Sequence, residues 1–202
     1  MKQNHIEKPV SIVIATGDLD AFGFILQQGI GVGIRPGCSL KDLLCEQFNI
    51  RPAYMDTRIK TAFLDGKPVD DYASAVVRDN AVLALSAAMP GLVGATFRSG
   101  GILSPFRSGI SFRNTAETAG SEQHGKITVK LFNLLVKEIG PVFLENGVWV
   151  RTRMLKELLT ERSGVTGFKE ILMNGQRATP ENITALPDSD GREEILLTVR
   201  AE

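Results

Sequence analysis

Short elements recur in the same order in the two halves of this chain, and that internal repeat limits the available folds more than any other feature. Each half reads strand, turn, strand, helix, strand, turn, strand. In the first half Pro9-Val10-Ser11-Ile12-Val13-Ile14 is a β-branched run, and Ile25-Leu26-Gln27-Gln28-Gly29-Ile30 carries a polar turn into a second extended run ending near Arg35. In the second half Ile127-Thr128-Val129-Lys130-Leu131 alternates apolar and polar, and Phe143-Leu144-Glu145-Asn146-Gly147-Val148 holds the matching turn. A helix follows in each half. Ser39 precedes Leu40-Lys41-Asp42-Leu43-Leu44, and Thr152 stands shortly before Leu155-Lys156-Glu157-Leu158-Leu159, each a cap residue ahead of a leucine stripe. Tight turns then recur at Asp65-Gly66 and Asn174-Gly175, dipeptides that tolerate the positive φ of a two-residue hairpin. The last strands are Ala81 to Leu85 and Glu194 to Val199, each after a polar turn.

A hairpin, one amphipathic helix and two further strands within a short span is the order of the β-grasp. The repeat therefore predicts an α+β chain of two tandem β-grasp (ubiquitin-like) units, each a mixed sheet wrapping one helix. Residues 1–90 form the first, 125–202 the second, and a Gly- and Arg-rich segment, 91–124, joins them. Each unit alone buries a small core, so two of them gain by stacking.

At Leu64-Asp65-Gly66-Lys67-Pro68-Val69, followed by Val76-Val77-Arg78-Asp79-Asn80-Ala81-Val82-Leu83-Ala84-Leu85, the chain resembles the ThiS/MoaD sulfur carriers of thiamine and molybdopterin biosynthesis. In that family an Asn-Gly or Asp-Gly turn precedes a final strand that opens on an acidic-Gly turn; Asp79-Asn80 takes the latter place here. The resemblance covers residues 10–90 and, in outline, 126–200. It implies a non-enzymatic carrier or carrier-derived module whose partner is another protein, such as an adenylating or sulfur-transfer enzyme. Carriers of that family end in Gly-Gly, whose carboxylate becomes a thiocarboxylate, whereas this sequence ends Val199-Arg200-Ala201-Glu202. Its Gly-Gly is internal, Gly100-Gly101, so a carrier role requires cleavage after Gly101. The plainer alternative is that this pair relieves a turn.

The segment between the repeats has its own character. Ala81 to Ala116 contains no Asp or Glu, yet holds Arg98, Arg107 and Arg113, each directly after Phe97, Phe106 or Phe112. Phe-Arg-Ser-Gly occurs twice, at 97–100 and 106–109. Guanidinium groups followed by Ser-Gly suit a phosphate or carboxylate, which gives a small-ligand or anion site. Alternatively, the phenylalanines anchor a partner protein, or they pack the units together while the arginines stay solvated.

The remaining sequence excludes more than it assigns. Lys plus Arg equal Asp plus Glu, at 23 each, so no global field draws the chain to nucleic acid or an acidic membrane, and neither is expected as a partner. No apolar run approaches the roughly 18 residues of a membrane helix, the N-terminus shows no signal-peptide pattern, and the expected location is the cytoplasm. Cys38, Cys45, His5 and His124 lack metal-ligand spacing, so no metal or other cofactor is expected, and the cysteines read as buried thiols. Asp70-Asp71, Glu193-Glu194 and Asp188 with Asp190 fall in turns, where acids serve solvation and geometry. Gly29-Ile30-Gly31-Val32-Gly33 does not open a helix, as a dinucleotide loop must, and no residue is assigned a catalytic role.

Overall fold

The computed structural model describes residues 9–88, 112, 124–161, 167–188 and 193–202, and the chain is α+β with a mixed sheet. The first elements are β1 (Ser11–Thr16), α1 (Gly23–Gln28) and β2 (Ile30–Ile34). Next come α2 (Leu40–Asp42), running into a π-helical turn at Leu43–Gln47, and α3 (Pro52–Arg58). The hairpin β3 (Thr61–Leu64) and β4 (Lys67–Pro68) precedes β5 (Val82–Ser86). After the inter-repeat segment follow β6 (Gly125–Phe132), α4 (Leu134–Glu138), α5 (Gly140–Asn146), β7 (Val148–Arg151) and α6 (Thr152–Glu161). The hairpin β8 (Phe168–Met173) and β9 (Gln176–Arg177), then α7 (Pro180–Thr184) and β10 (Glu194–Ala201), complete the order.

Local chemistry acts as expected at the caps and tight turns. Ser39 accepts a hydrogen bond from the Asp42 N–H at 3.0 Å, and Leu40, Leu43 and Leu44 behind it are fully buried. Burying each such leucine contributes about 1.5–3 kcal/mol. Asp65-Gly66 (φ 51° and 76°) and Asn174-Gly175 (φ 52° and 80°) are left-handed at both positions, the signature of type I′ turns. Leu64 pairs with Lys67 and Met173 with Gln176 across them. Thr152 differs from its expected capping role: it begins α6 itself and its hydroxyl donates to the Glu193 carbonyl at 3.1 Å.

The expected opening hairpins do not form. The segments Ile25 to Ile30 and Phe143 to Val148, read as hairpin turns, are the ends of α1 and α5, and Gly29 (φ 121°) and Gly147 (φ 84°) release the chain into β2 and β7. The repeat is real in its helix, glycine, strand succession, but its strands pair elsewhere. β6 pairs antiparallel with β2 and parallel with β5, not with β7. β1 pairs parallel with β10 and antiparallel with β8, not with β2.

Two compact units result, and they cut across the division expected at 91–124. One is Leu26–Phe143, with strand order β4-β3-β5-β6-β2. The other joins the chain through Ile25 to Leu144–Glu202, with order β7-β10-β1-β8-β9. The physical reason is the pairing just described, which takes β6 into the company of β2 to β5 and leaves β1 with β7 to β10. In both units the directions run alike, with a parallel central pair flanked by antiparallel neighbours. No described helix is long and apolar enough to cross a membrane.

Gly29 is held to its identity twice over. A side chain there would lie 2.9 Å from Thr128 Cγ2, at a φ that L residues rarely adopt, whereas Gly66 has open space around its α-carbon. Gly29→Ala is expected to lose about 2–4 kcal/mol from strain and overpacking together, against about 1–2 kcal/mol for Gly66→Ala, by urea unfolding.

Candidate functional site

Because β5 and β6 are parallel neighbours, the chain between them must return the length of the sheet, and residues 87–124 make that crossover. This is the segment that carries the Phe-Arg repeats. Its start, its one described interior residue and the strand it enters, β6, are held by hydrogen bonds within the Leu26–Phe143 unit.

At the departure, Ser86 is buried at the end of β5 and its hydroxyl donates to the Ala88 carbonyl at 3.2 Å. The Asn133 amide donates to Ser86 Oγ at 2.9 Å and also to the Ala88 carbonyl. Asn133 does this from a backbone at φ 57°, ψ −135°, outside every ordinary region for a residue with a β-carbon. Such strain persists only where surrounding bonds over-determine it. Here the bonds are those that hold the start of the crossover.

At the return, the carboxylate of Asp79 accepts the Lys126 N–H at 2.7 Å, and the Asn80 N–H donates to the Lys126 carbonyl at 2.9 Å. Asn80 is left-handed at φ 61°, a conformation that asparagine tolerates better than most residues. A side chain on Gly125 would meet Asp79 Oδ1 at 2.7 Å, so the start of β6 sits tightly against this turn. Between the two ends, the half-buried Phe112 donates its N–H to the Pro68 carbonyl on β4 at 2.8 Å. That bond satisfies a carbonyl on the outer edge of the sheet, a position that otherwise invites pairing with other chains.

Of the residues singled out in the sequence, the structure thus places Phe112 on the β4 edge. Phe97, Arg98, Gly100, Gly101, Phe106, Arg107 and Arg113 lie outside the described residues, as does His5. His124 is exposed at the head of β6. Asn133 escaped sequence reading; its signal was an asparagine directly after an alternating strand, a residue type that tolerates positive φ.

The cysteines are half-buried rather than buried. Cys38 accepts from the Gln47 amide at 3.1 Å and donates to the Arg35 carbonyl at 3.4 Å, and burial pushes its thiol above the usual range, away from nucleophilic reactivity. Burial likewise raises Cys45. The Tyr54 hydroxyl donates to Glu138 at 2.6 Å, alongside the Arg58 guanidinium, which pairs with the same carboxylate and links α3 to α4. A shallow depression of about 450 Å³ lies at the ends of β1 and β10, lined by Thr16, Asp18, Asp20 and Glu202 among others. Asp18 there accepts from the Ala21 N–H and caps the turn at Leu19–Phe22. Among the described residues, no three His, Cys, Asp or Glu side chains gather as a metal site would require.

Asn133 separates strain from bonding experimentally. Asn133→Ala loses the amide bonds and keeps the strain, whereas Asn133→Gly loses the bonds and relieves it, so the glycine variant is expected to be more stable than the alanine variant by about 1–2 kcal/mol in urea unfolding. Compared with protein-family models, curated proteins and solved structures, the chain matches none.

Proposed function

We propose that this chain is a non-enzymatic, β-grasp-type module derived from the ThiS/MoaD-like sulfur carriers, and that it binds another protein through the crossover around 91–113. The β-grasp reading rests on the parallel succession in the two repeats: helix, glycine, strand, leucine-striped helix, type I′ hairpin, with the same strand directions in each unit. It requires the opening strand of each repeat to have left its own hairpin. The observation that carries the binding role is the anchoring of the crossover at Asn133, at Asp79 and at Pro68. Function-bearing loops are commonly displayed from a rigid scaffold in this way, and connections longer than about a dozen residues are often functional.

Release of a carrier by cleavage after Gly101 fits these pairings less well. A fragment ending there would leave behind β6, the strand between β5 and β2, and would separate β1 from β10. The adaptor reading needs no such loss.

The test is affinity capture on the full-length protein, with Phe97→Ala/Phe106→Ala/Phe112→Ala and Arg98→Ala/Arg107→Ala/Arg113→Ala compared with the parent. The phenylalanine variant is expected to lose the captured protein with its unfolding midpoint little changed, since aromatic anchors dominate such contacts. Loss confined to the arginine variant, with binding that falls steeply with salt, would favour an anion or phosphate ligand instead. Full retention by both variants would remove the crossover from the binding surface.

A further inference from the structure

The hairpins β3–β4 and β8–β9 correspond residue by residue, and one difference between them has a functional consequence. Leu64 pairs with Lys67 and Phe63 with Pro68 in the first; Met173 pairs with Gln176 and Leu172 with Arg177 in the second. The next rung also matches: Val69 N–H donates to the Ala62 carbonyl at 2.9 Å, and Ala178 N–H to the Ile171 carbonyl at 2.9 Å. In an antiparallel pair the rungs alternate, so Pro68 and Arg177, between bonded rungs, turn their main-chain groups outward to the free edge.

At Pro68 that edge is used and blocked. Its carbonyl takes the Phe112 N–H, and proline has no N–H to offer a second strand. At Arg177 the edge is open and complete: carbonyl and N–H both face outward, and no described residue bonds to them. The side chains on this edge are solvated. Gln176 is exposed, and the Arg177 side chain, 89% exposed, reaches Glu170 at 3.4 Å.

We propose that the β9 edge is a docking site for an extended segment of a partner protein, which adds to the sheet as a further strand with an aromatic residue opposite Arg177. The main-chain clamp at Arg177 supplies both bonds of one ladder rung, twice what Pro68 provides for Phe112. The aromatic choice follows from two facts. The equivalent position on the other hairpin is occupied by a phenylalanine, and a guanidinium on an exposed strand presents a flat cation to a ring. This inference does not depend on the crossover's role, because β9 belongs to the other unit.

The probe is the capped peptide Gly109 to Thr115, whose central residue is Phe112, titrated into ¹⁵N-labelled full-length protein. Amide shifts are expected at Gln176 to Ala178 and along Ile171 to Met173, with slowed exchange of the Arg177 N–H. Arg177→Pro, which copies the other hairpin, is expected to weaken binding about tenfold, as loss of one main-chain bond implies. Arg177→Ala keeps the backbone and should weaken it less. If Arg177→Pro disturbs folding, a peptide N-methylated at its phenylalanine removes a bond from the other side and should bind about tenfold more weakly to the parent protein. No shift at millimolar peptide, shifts confined to Phe63 to Val69, or equal binding of the methylated peptide would each overturn the proposal.

Discussion

The rest of the structure depends on two parallel strand pairs, β5 with β6 and β1 with β10. Parallel neighbours cannot be joined by a tight turn, so each pair obliges the chain to travel before it can close. For β5 and β6 the path is the crossover 87–124, and for β1 and β10 it is nearly the whole protein, since Ser11 lies beside Leu196. Closing long loops costs entropy that is recovered only when the central strands bury their side chains. Those side chains are among the most deeply buried of the described residues: Ile12, Ile14, Leu83, Leu85, Val129, Leu131, Leu197 and Val199 are all fully covered.

This constraint explains what could be read in the sequence and what could not. Ser39, Asp65-Gly66 and Asn174-Gly175 were legible because their chemistry is local: a cap bonds three residues on, and a type I′ turn is specified by two residues. The leucine stripes of α2 and α6 were legible for the same reason. The two false hairpins failed because α1 and α5 are too short for a helical period to declare itself, and a Gln-Gln-Gly or Glu-Asn-Gly sequence suits a turn as well as a helix end. Strand partners have no local signature at all. Nothing within Ile12 to Ile14 indicates that Leu197 to Val199 will lie beside it.

The candidate site was legible in composition and not in position. The Phe-Arg pairs mark the inter-repeat segment as unusual, but Phe112 alone falls among the described residues, and there its backbone, not its ring, makes the bond that places it. The groups that fix the segment, Asn133, Ser86 and Asp79, belong to strand ends and turns where side chains commonly bond to nearby backbone. Each repeat thus keeps one hairpin, β3–β4 or β8–β9, while the chain departing from the first is held where it leaves β5, where it enters β6 and at the β4 edge.

The measurement that bears most directly on this arrangement is cleavage between the repeats. With a specific protease site in place of Gly100-Gly101, the pieces 1–101 and 102–202 are expected to co-elute at the size of the intact protein in native gel filtration and to part only in denaturant, because each compact unit takes strands from both. Two separately folded pieces, free of one another under native conditions, would contradict the pairing of β6 with β5 and of β1 with β10.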